Sequence, residues 1–201
     1  MLFGVECASR SRGPVVAVSG PPGSGKTTFA RRLAGELGLQ YHSAGSIFRE
    51  LARERGMSVE DLNRAAALDP SIDLEIDQRT VKVACKGNVV IEGHLVAWVV
   101  SSIADVKIYV TAPLEVRVER IARREGRSID EVLRETLVRE YTQRARFLQY
   151  YGIDVSSLHV FDLVVNTENV GLHEAYKVIM TYTCSVLQAK GYSPRACTNK
   201  A

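Results

Sequence analysis

The chain has 201 residues, 46% of them hydrophobic and 24% charged, with a formal net charge of +3. That length suits one domain with a sizeable core. No apolar run approaches a membrane span, and so small a positive balance does not by itself point to nucleic acid. Met1–Gly13 reads as a flexible arm rather than a secretory leader, because Arg10 and Arg12 follow its weak apolar stretch instead of preceding it. A cytoplasmic location is the resulting expectation. The cysteines, Cys7, Cys85, Cys184 and Cys197, form no C-x-x-C pair, which argues against a zinc site. Cys85 and Cys184 stand in apolar helical surroundings and read as small core residues. Pairing stays open, since disulfides do occur inside hyperthermophiles.

Taken in order, Val15–Ser19 is a short β-branched run, as in a buried parallel strand. Gly25–Leu37 carries apolar residues at helical spacing, and Gln40–Ser43 is a short extended piece. Ser46–Arg55 reads as a helix. Ser58 with Asp61 three residues on opens another, close to a capping box. Asp69-Pro70-Ser71 interrupts the chain, Ser71–Lys86 is helical again, and Gly87-Asn88 is a turn. Val89–Ile91 is a second buried strand ending at Glu92-Gly93, and Lys107–Val110 is a third. Pro113 suits the first turn of a helix that Gly126 ends. Ser128 and Glu131 form a capping box for a long helix to Tyr151, stopped by Gly152. Phe161–Asn166 is the last strand, Leu172–Leu187 a closing amphipathic helix, and the tail from Gly191 reads as frayed. Strands separated by helices predict an α/β fold, a parallel sheet covered on both faces. The division expected is an arm (1–13), one domain (14–190) and a tail (191–201). Within the domain, helical inserts fall at about 44–86 and about 117–150.

One segment carries explicit chemistry. Gly20-Pro21-Pro22-Gly23-Ser24-Gly25-Lys26-Thr27 spells G-x-x-x-x-G-K-T, between the first strand and the first helix. Glycines let the backbone curl so that successive N–H groups converge on phosphate oxygens. Lys26 brings a compact positive charge to the β- and γ-phosphates, the Thr27 hydroxyl is a natural Mg²⁺ ligand, and the helix N-terminus favours the same anion. Gly20 through Thr28 are therefore the candidate ATP-binding residues of a P-loop fold. The chain lacks Asp-x-x-Gly, Asn-Lys-x-Asp and L-S-G-G-Q segments, which sets aside regulatory GTPases and transporter ATPases and leaves small-molecule kinases. A kinase must clamp its acceptor and cover its donor against water, and the two helical inserts suit those tasks. Nine arginines lie between Arg117 and Arg146. Arg120, Arg123, Arg124 and Arg127 cluster where a lid would deliver charge. Arg139, Gln143 and Arg146 share one helix face, while Leu133, Leu137, Tyr141 and Leu148 form another that can be buried.

Several blocks resemble the archaeal-type cytidylate kinases, within the nucleoside monophosphate kinase group. They are Ser19–Thr28, Ser43–Leu51 (S-A-G-S-I-F-R-E-L), Val90–Gly93, Ala112–Val118 with Arg120–Gly126, and Tyr150–Asp154 (Y-Y-G-I-D). The resemblance implies transfer of a phosphoryl group from ATP with Mg²⁺ to CMP or dCMP; the expected partners are small-molecule nucleotides, without membrane or nucleic acid, and a monomer is the default expectation. It implies Lys26, Arg120, Arg124 and Arg144 as catalytic residues, and Thr27, with Glu92 through water, at the metal. It implies Ser43, Gly45, Arg49, Asp77, Arg79, His94, Gln143 and Arg146 at the CMP. Two departures stand out. The family's usual Glu-Gly-Arg or Asp-Gly-Arg is Glu92-Gly93-His94 here, and Gln143 falls where the wider group can carry an acid. Losing the arginine removes a permanent charge and a bidentate donor. The alternatives are the same transfer to UMP, AMP or a small hydroxyl compound, which would need a carboxylate base such as Asp77 or Glu92, and a regulatory or RNA-associated ATPase.

Overall fold

The computed structural model describes Cys7 and residues 13–197. Strands β1 (Val15–Ser19), β2 (Gln40–Ser43), β3 (Val89–Gly93), β4 (Val106–Thr111) and β5 (Leu163–Asn166) form one sheet in the order β2-β3-β1-β4-β5. Every pairing is parallel, with Ser19 beside Gly93 and Ser43 beside Glu92. The helices are α1 (Lys26–Leu37), α2 (Ala44–Glu54), α3 (Val59–Ala66), α4 (Pro70–Lys86), α5 (Val96–Val99), α6 (Leu114–Glu125), α7 (Ile129–Tyr151) and α8 (Leu172–Ala189). Parallel strands need crossovers, and the helices that supply them cover both faces.

Alternation along β1 sends residues to opposite sides. Val15 and Ala17 join Val89 and Ile91 in a core with Val81 and Ala84 of α4, Val96 and Ala97 of α5, and Phe147 and Tyr151 of α7. Val16 and Val18 join Val106, Ile108 and Val110 in a second core under α1 and α8. The insert of α2, α3 and α4 has its own small cluster around Leu51, Leu62 and Ile72. Helices α6 and α7 pack through Val118, Ile121 and Val132. Both expected caps form: Ser58 accepts from the Asp61 N–H, and Ser128 from the Glu131 N–H. Among the described residues no helix is long and apolar enough to cross a membrane.

Three readings need correction. The cysteines are not isolated core residues: Cys7 is bonded to Cys85, and Cys184 to Cys197. The tail does not fray up to residue 197, because Arg195–Cys197 forms a 3₁₀ turn whose last carbonyl accepts from Gln188 Nε2 at 2.7 Å; residues 198–201, like most of the Met1–Gly13 arm, lie outside the described residues. Finally, the apolar face of α7 is not covered. Leu133 is partly buried, but Leu137, Tyr141 and Leu148 are exposed, Tyr141 by 77%. The sequence reading also lacked α5, a single turn whose Ala97 N–H is bonded by Ser19 Oγ at 3.0 Å.

Candidate active site

Because all strands run one way, their C-terminal ends bring five loops to one edge, where ligands bind in open α/β sheets. The loop after β1 curls back between β4 and α6. A Cβ at Gly20 would lie 2.1 Å from the Val110 carbonyl oxygen. Gly23, at φ +78°, would place a Cβ 2.6 Å from the Arg117 carbonyl. Any side chain at either position would open the loop. Lys26 starts α1 and reaches back to the Pro21 carbonyl at 3.4 Å, a weak contact for an ammonium. Burial pushes its pKa down, Glu92 pulls it up, and the charges of Arg139, Arg124 and Arg117 push it down further. Several cations thus converge on one partly enclosed point, an arrangement that calls for a polyanion. Thr27 and Thr28 are exposed at the loop's mouth. Ser24 is buried, and its hydroxyl has no hydrogen-bond partner among the described residues.

Glu92 ends β3 beside Ser43 and is buried, accepting from the Tyr41 hydroxyl at 3.1 Å. Among the described residues no group of three or more His, Cys, Asp or Glu side chains could hold a metal by itself. The donors present, the Thr27 hydroxyl and the Glu92 carboxylate, fit a hard cation that would arrive with phosphate oxygens and water.

Beyond β2, Ser43 leads into α2. A Cβ on Gly45 would stand 3.4 Å from Ser43 Oγ and 3.6 Å from an Arg49 terminal nitrogen, so these three residues share one small surface. Arg49 is exposed there. His94 follows β3, and its Nδ1 lies 2.8 Å from Gln143 Oε1 of α7, with its ring edge-on to Phe147. Burial is the main cause that lowers its pKa to about 4, opposed by the Gln143 bond and reinforced by Lys26, Arg139 and Arg117. His94 is therefore neutral at pH 7. Since an amide oxygen only accepts, Nδ1 carries the proton and Nε2 is left as an acceptor.

The face of α7 read from spacing is real. Arg139 acts on Lys26 and His94, Gln143 holds His94, and Arg146 Nε lies 3.1 Å from Asp73 Oδ2 of α4. One turn on from Asp73, Asp77 is buried and accepts from the Tyr151 hydroxyl at 2.7 Å. Burial raises its pKa to about 7, the Tyr151 bond lowers it and Asp73 raises it.

The other candidates are engaged by protein partners. Arg79 makes a fork to Glu54 at 2.9 and 2.6 Å and also meets Glu75 at 2.7 Å, an exposed bridge between α2 and α4. Arg144 reaches outward toward Asp154 and Ser156. Arg120 stays by the phosphate loop but is engaged, donating to Thr167 Oγ1 at 2.9 Å and its carbonyl at 2.8 Å. Arg124 is exposed and pairs with Glu125 at 2.5 Å.

The cytidylate kinase-like family model matches residues 15–169, all five strands included. The chain belongs to that family. A cytidylate kinase of Staphylothermus marinus is 55% identical over 84% of this chain and 95% of its own length. One from Ignicoccus hospitalis is 57% identical over 78% of this chain and 91% of its own. The shikimate kinase structure from Bacteroides thetaiotaomicron superposes with a TM-score of 0.57 at 14% identity, covering 87% of this chain and 98% of that one, a likeness of fold alone.

Within this cytidylate kinase-like frame, sequence reasoning overlooked two residues beside the loop. Arg117 is buried and donates to the Ala112 carbonyl at 2.9 Å and the Pro22 carbonyl at 3.1 Å, and it is paired with Glu140 of α7. It binds α6, α7 and the phosphate loop into one unit. Arg139 had been placed on the correct face without a role. The available signal was an arginine one turn into the helix after Pro113, where it can turn back over the loop.

Proposed function

We propose that the protein is an ATP-dependent cytidylate kinase, moving the γ-phosphoryl group of ATP to CMP or dCMP and yielding ADP with CDP or dCDP. The observation that carries this reading is the 55% identity, over 84% of the chain, to a relative named cytidylate kinase. The convergence of cations on Lys26 fits it.

On this reading the loop from Gly20 to Thr28 holds the donor triphosphate, its backbone N–H groups aimed at phosphate oxygens. Thr27, and Glu92 through water, would hold Mg²⁺, which would supply charge neutralisation to the donor phosphates. Ser43, Gly45 and Arg49 take the acceptor phosphate, with Arg49 as a fork. The acceptor phosphate is already an anionic nucleophile, so no strong general base is needed. Catalysis is in-line positioning with charge stabilisation. Lys26 stabilises the group in flight, Arg124 and Arg139 add charge from the two lid helices, and Arg117 holds the loop from behind. His94, being neutral, orients rather than neutralises.

The test is ADP formation from ATP and Mg²⁺ with CMP, dCMP, UMP, AMP, GMP or no acceptor. The expected result is strong turnover with CMP or dCMP. Turnover confined to a purine monophosphate, or independent of any acceptor, would overturn the reading.

A further inference from the structure

The buried carboxylate of Glu92 stands between two strands that lead into ligand-binding loops. It is in register with Val18, just before the phosphate loop, and with Ser43, which opens the acceptor clamp. A buried carboxylate is costly unless it is paired or hydrogen-bonded. Its charge acts on Lys26: burial pushes the lysine's pKa down, and Glu92 pulls it back up. Among the described residues, the one hydrogen bond that Glu92 accepts comes from Tyr41, whose hydroxyl donates to Oε1 at 3.1 Å. Tyr41 and Ser43 lie two apart on β2, so both side chains stand on one face of the sheet, and pairing with Ser43 puts Glu92 on that face too.

Tyr41 is itself held in place. The Arg31 guanidinium lies over its ring, 4.7 Å from the centroid, a cation–π contact. Arg31 is one turn along α1 from Thr27, on the same side of the helix. Burial, and then the charge of Glu92, push the Tyr41 pKa above its ordinary 10. The phenol therefore keeps its proton and serves Glu92 as a permanent donor. A phenylalanine would fill this half-buried position and stack under Arg31 equally well. What the hydroxyl adds is a fixed direction for the carboxylate.

We propose that Tyr41 is a positioning residue of the donor site. By engaging Oε1 of Glu92 it leaves Oε2 for the Lys26 and Thr27 end of the loop, and so sets how strongly the site takes the divalent cation that accompanies a nucleoside triphosphate. This rests on the kinase reading and on the place of Glu92 in it. Groups that hold a metal-binding side chain in orientation change metal affinity by about 10- to 100-fold. A carboxylate that acts through water belongs at the lower end of that range. The chain Arg31–Tyr41–Glu92 joins α1, β2 and β3, so the carboxylate is aimed from the same helix that carries Lys26 and Thr27.

The experiment measures the Kd of the full chain for adenylyl imidodiphosphate, a non-hydrolysable ATP analogue, by calorimetry with Mg²⁺ and with a chelator in its place. In Tyr41→Phe the gain in affinity that Mg²⁺ brings should shrink by roughly tenfold, while the Kd in chelator stays at the wild-type value. A purely structural role would weaken binding alike in both conditions and leave the gain unchanged, which overturns the proposal. Should Tyr41→Phe fail to fold, Tyr41→Leu takes its place under the same criterion. Glu92→Gln should also lose the gain, and adding Tyr41→Phe to it should change nothing further, because the hydroxyl acts through that carboxylate. A full second loss in the double variant overturns the proposal, as does a wild type that binds the analogue equally well without Mg²⁺. If the wild type neither binds the analogue nor phosphorylates CMP, the kinase reading fails first. If it does both and Tyr41→Phe keeps the whole gain, the inference alone fails.

Discussion

The donor loop Gly20–Thr27 takes its shape from consecutive residues, whereas the surface opposite it is assembled from side chains as far apart in the chain as Ser43 and Arg146. In the first, contacts are backbone N–H groups and one lysine, and the shape is enforced by glycines that leave no room for a Cβ. In the second, Arg49 stands exposed on α2, Asp73 and Asp77 are buried on α4, and His94 is pinned by α7. A local backbone device tolerates one arrangement. A surface made of helices on separate small cores can be retuned residue by residue. The difference teaches where substitutions should act on chemistry and where on the choice of acceptor.

The largest effect should come from the donor side. Lys26→Ala is expected to lower kcat by a factor of about 10³ or more, since it removes the charge at the transferred group, while thermal unfolding stays close to that of the wild type. Retention of near-normal turnover would show that the loop does not hold the reacting phosphate. Next comes the staple behind the acceptor helix. Cys85 closes α4, and its bond to Cys7 spans 78 residues. Cys85→Ser, read by thermal or denaturant unfolding, should lose about 4.5 kcal/mol, the chain entropy that a loop of this length restores to the unfolded state. An unchanged midpoint under non-reducing conditions would mean that the bond contributes nothing to the fold.

On the acceptor side, Arg49→Ala should raise the KM for CMP by roughly tenfold or more with little change in the KM for ATP, because a charge-assisted hydrogen bond is worth about 1.5–3 kcal/mol. Arg79→Ala is the contrast. Its guanidinium is already committed to Glu54 and Glu75, so KM for CMP should not move. Loss of an exposed bridge should cost at most about 1 kcal/mol of stability. If the two arginines exchange these behaviours, the clamp has been drawn on the wrong surface.

A subtler effect separates the halves by pH. Asp77, facing Asp73 on its own helix and Tyr151 on α7, has a folded pKa of about 7 against an ordinary value of 3.8. The folded state holds this proton more tightly, so its stabilising contribution is complete below about pH 4 and is lost as pH rises through about 7. Asp77→Asn should remove that downward slope from unfolding measurements taken between those values. A slope identical to that of the wild type would show that Asp77 does not titrate there.

How much of this was legible follows from the same division. The strand, loop and first helix could be read because strand burial, glycine geometry and helical spacing are all local. The Ser58 and Ser128 caps were readable for the same reason. So was the shared face of Arg139, Gln143 and Arg146, which is a matter of period. What those residues meet was not: Asp73 and His94 arrive from other elements, and no spacing encodes an encounter between α4 and α7. The pairing of Arg79 with Glu54 was not readable either, because a basic residue on the clamp looks the same in sequence whether it faces a nucleotide or an acid. The tail was misjudged because a bond from Cys184 to Cys197 leaves no periodic trace.

The most direct test of the central claim follows the phosphoryl group itself, using ATP labelled at its γ-phosphate, Mg²⁺ and the full chain, with and without CMP. The account predicts that label moves into CDP, and that little is released as inorganic phosphate when CMP is absent. Label appearing as inorganic phosphate at the same rate with or without CMP would contradict it, leaving a nucleotide-binding ATPase in place of a kinase.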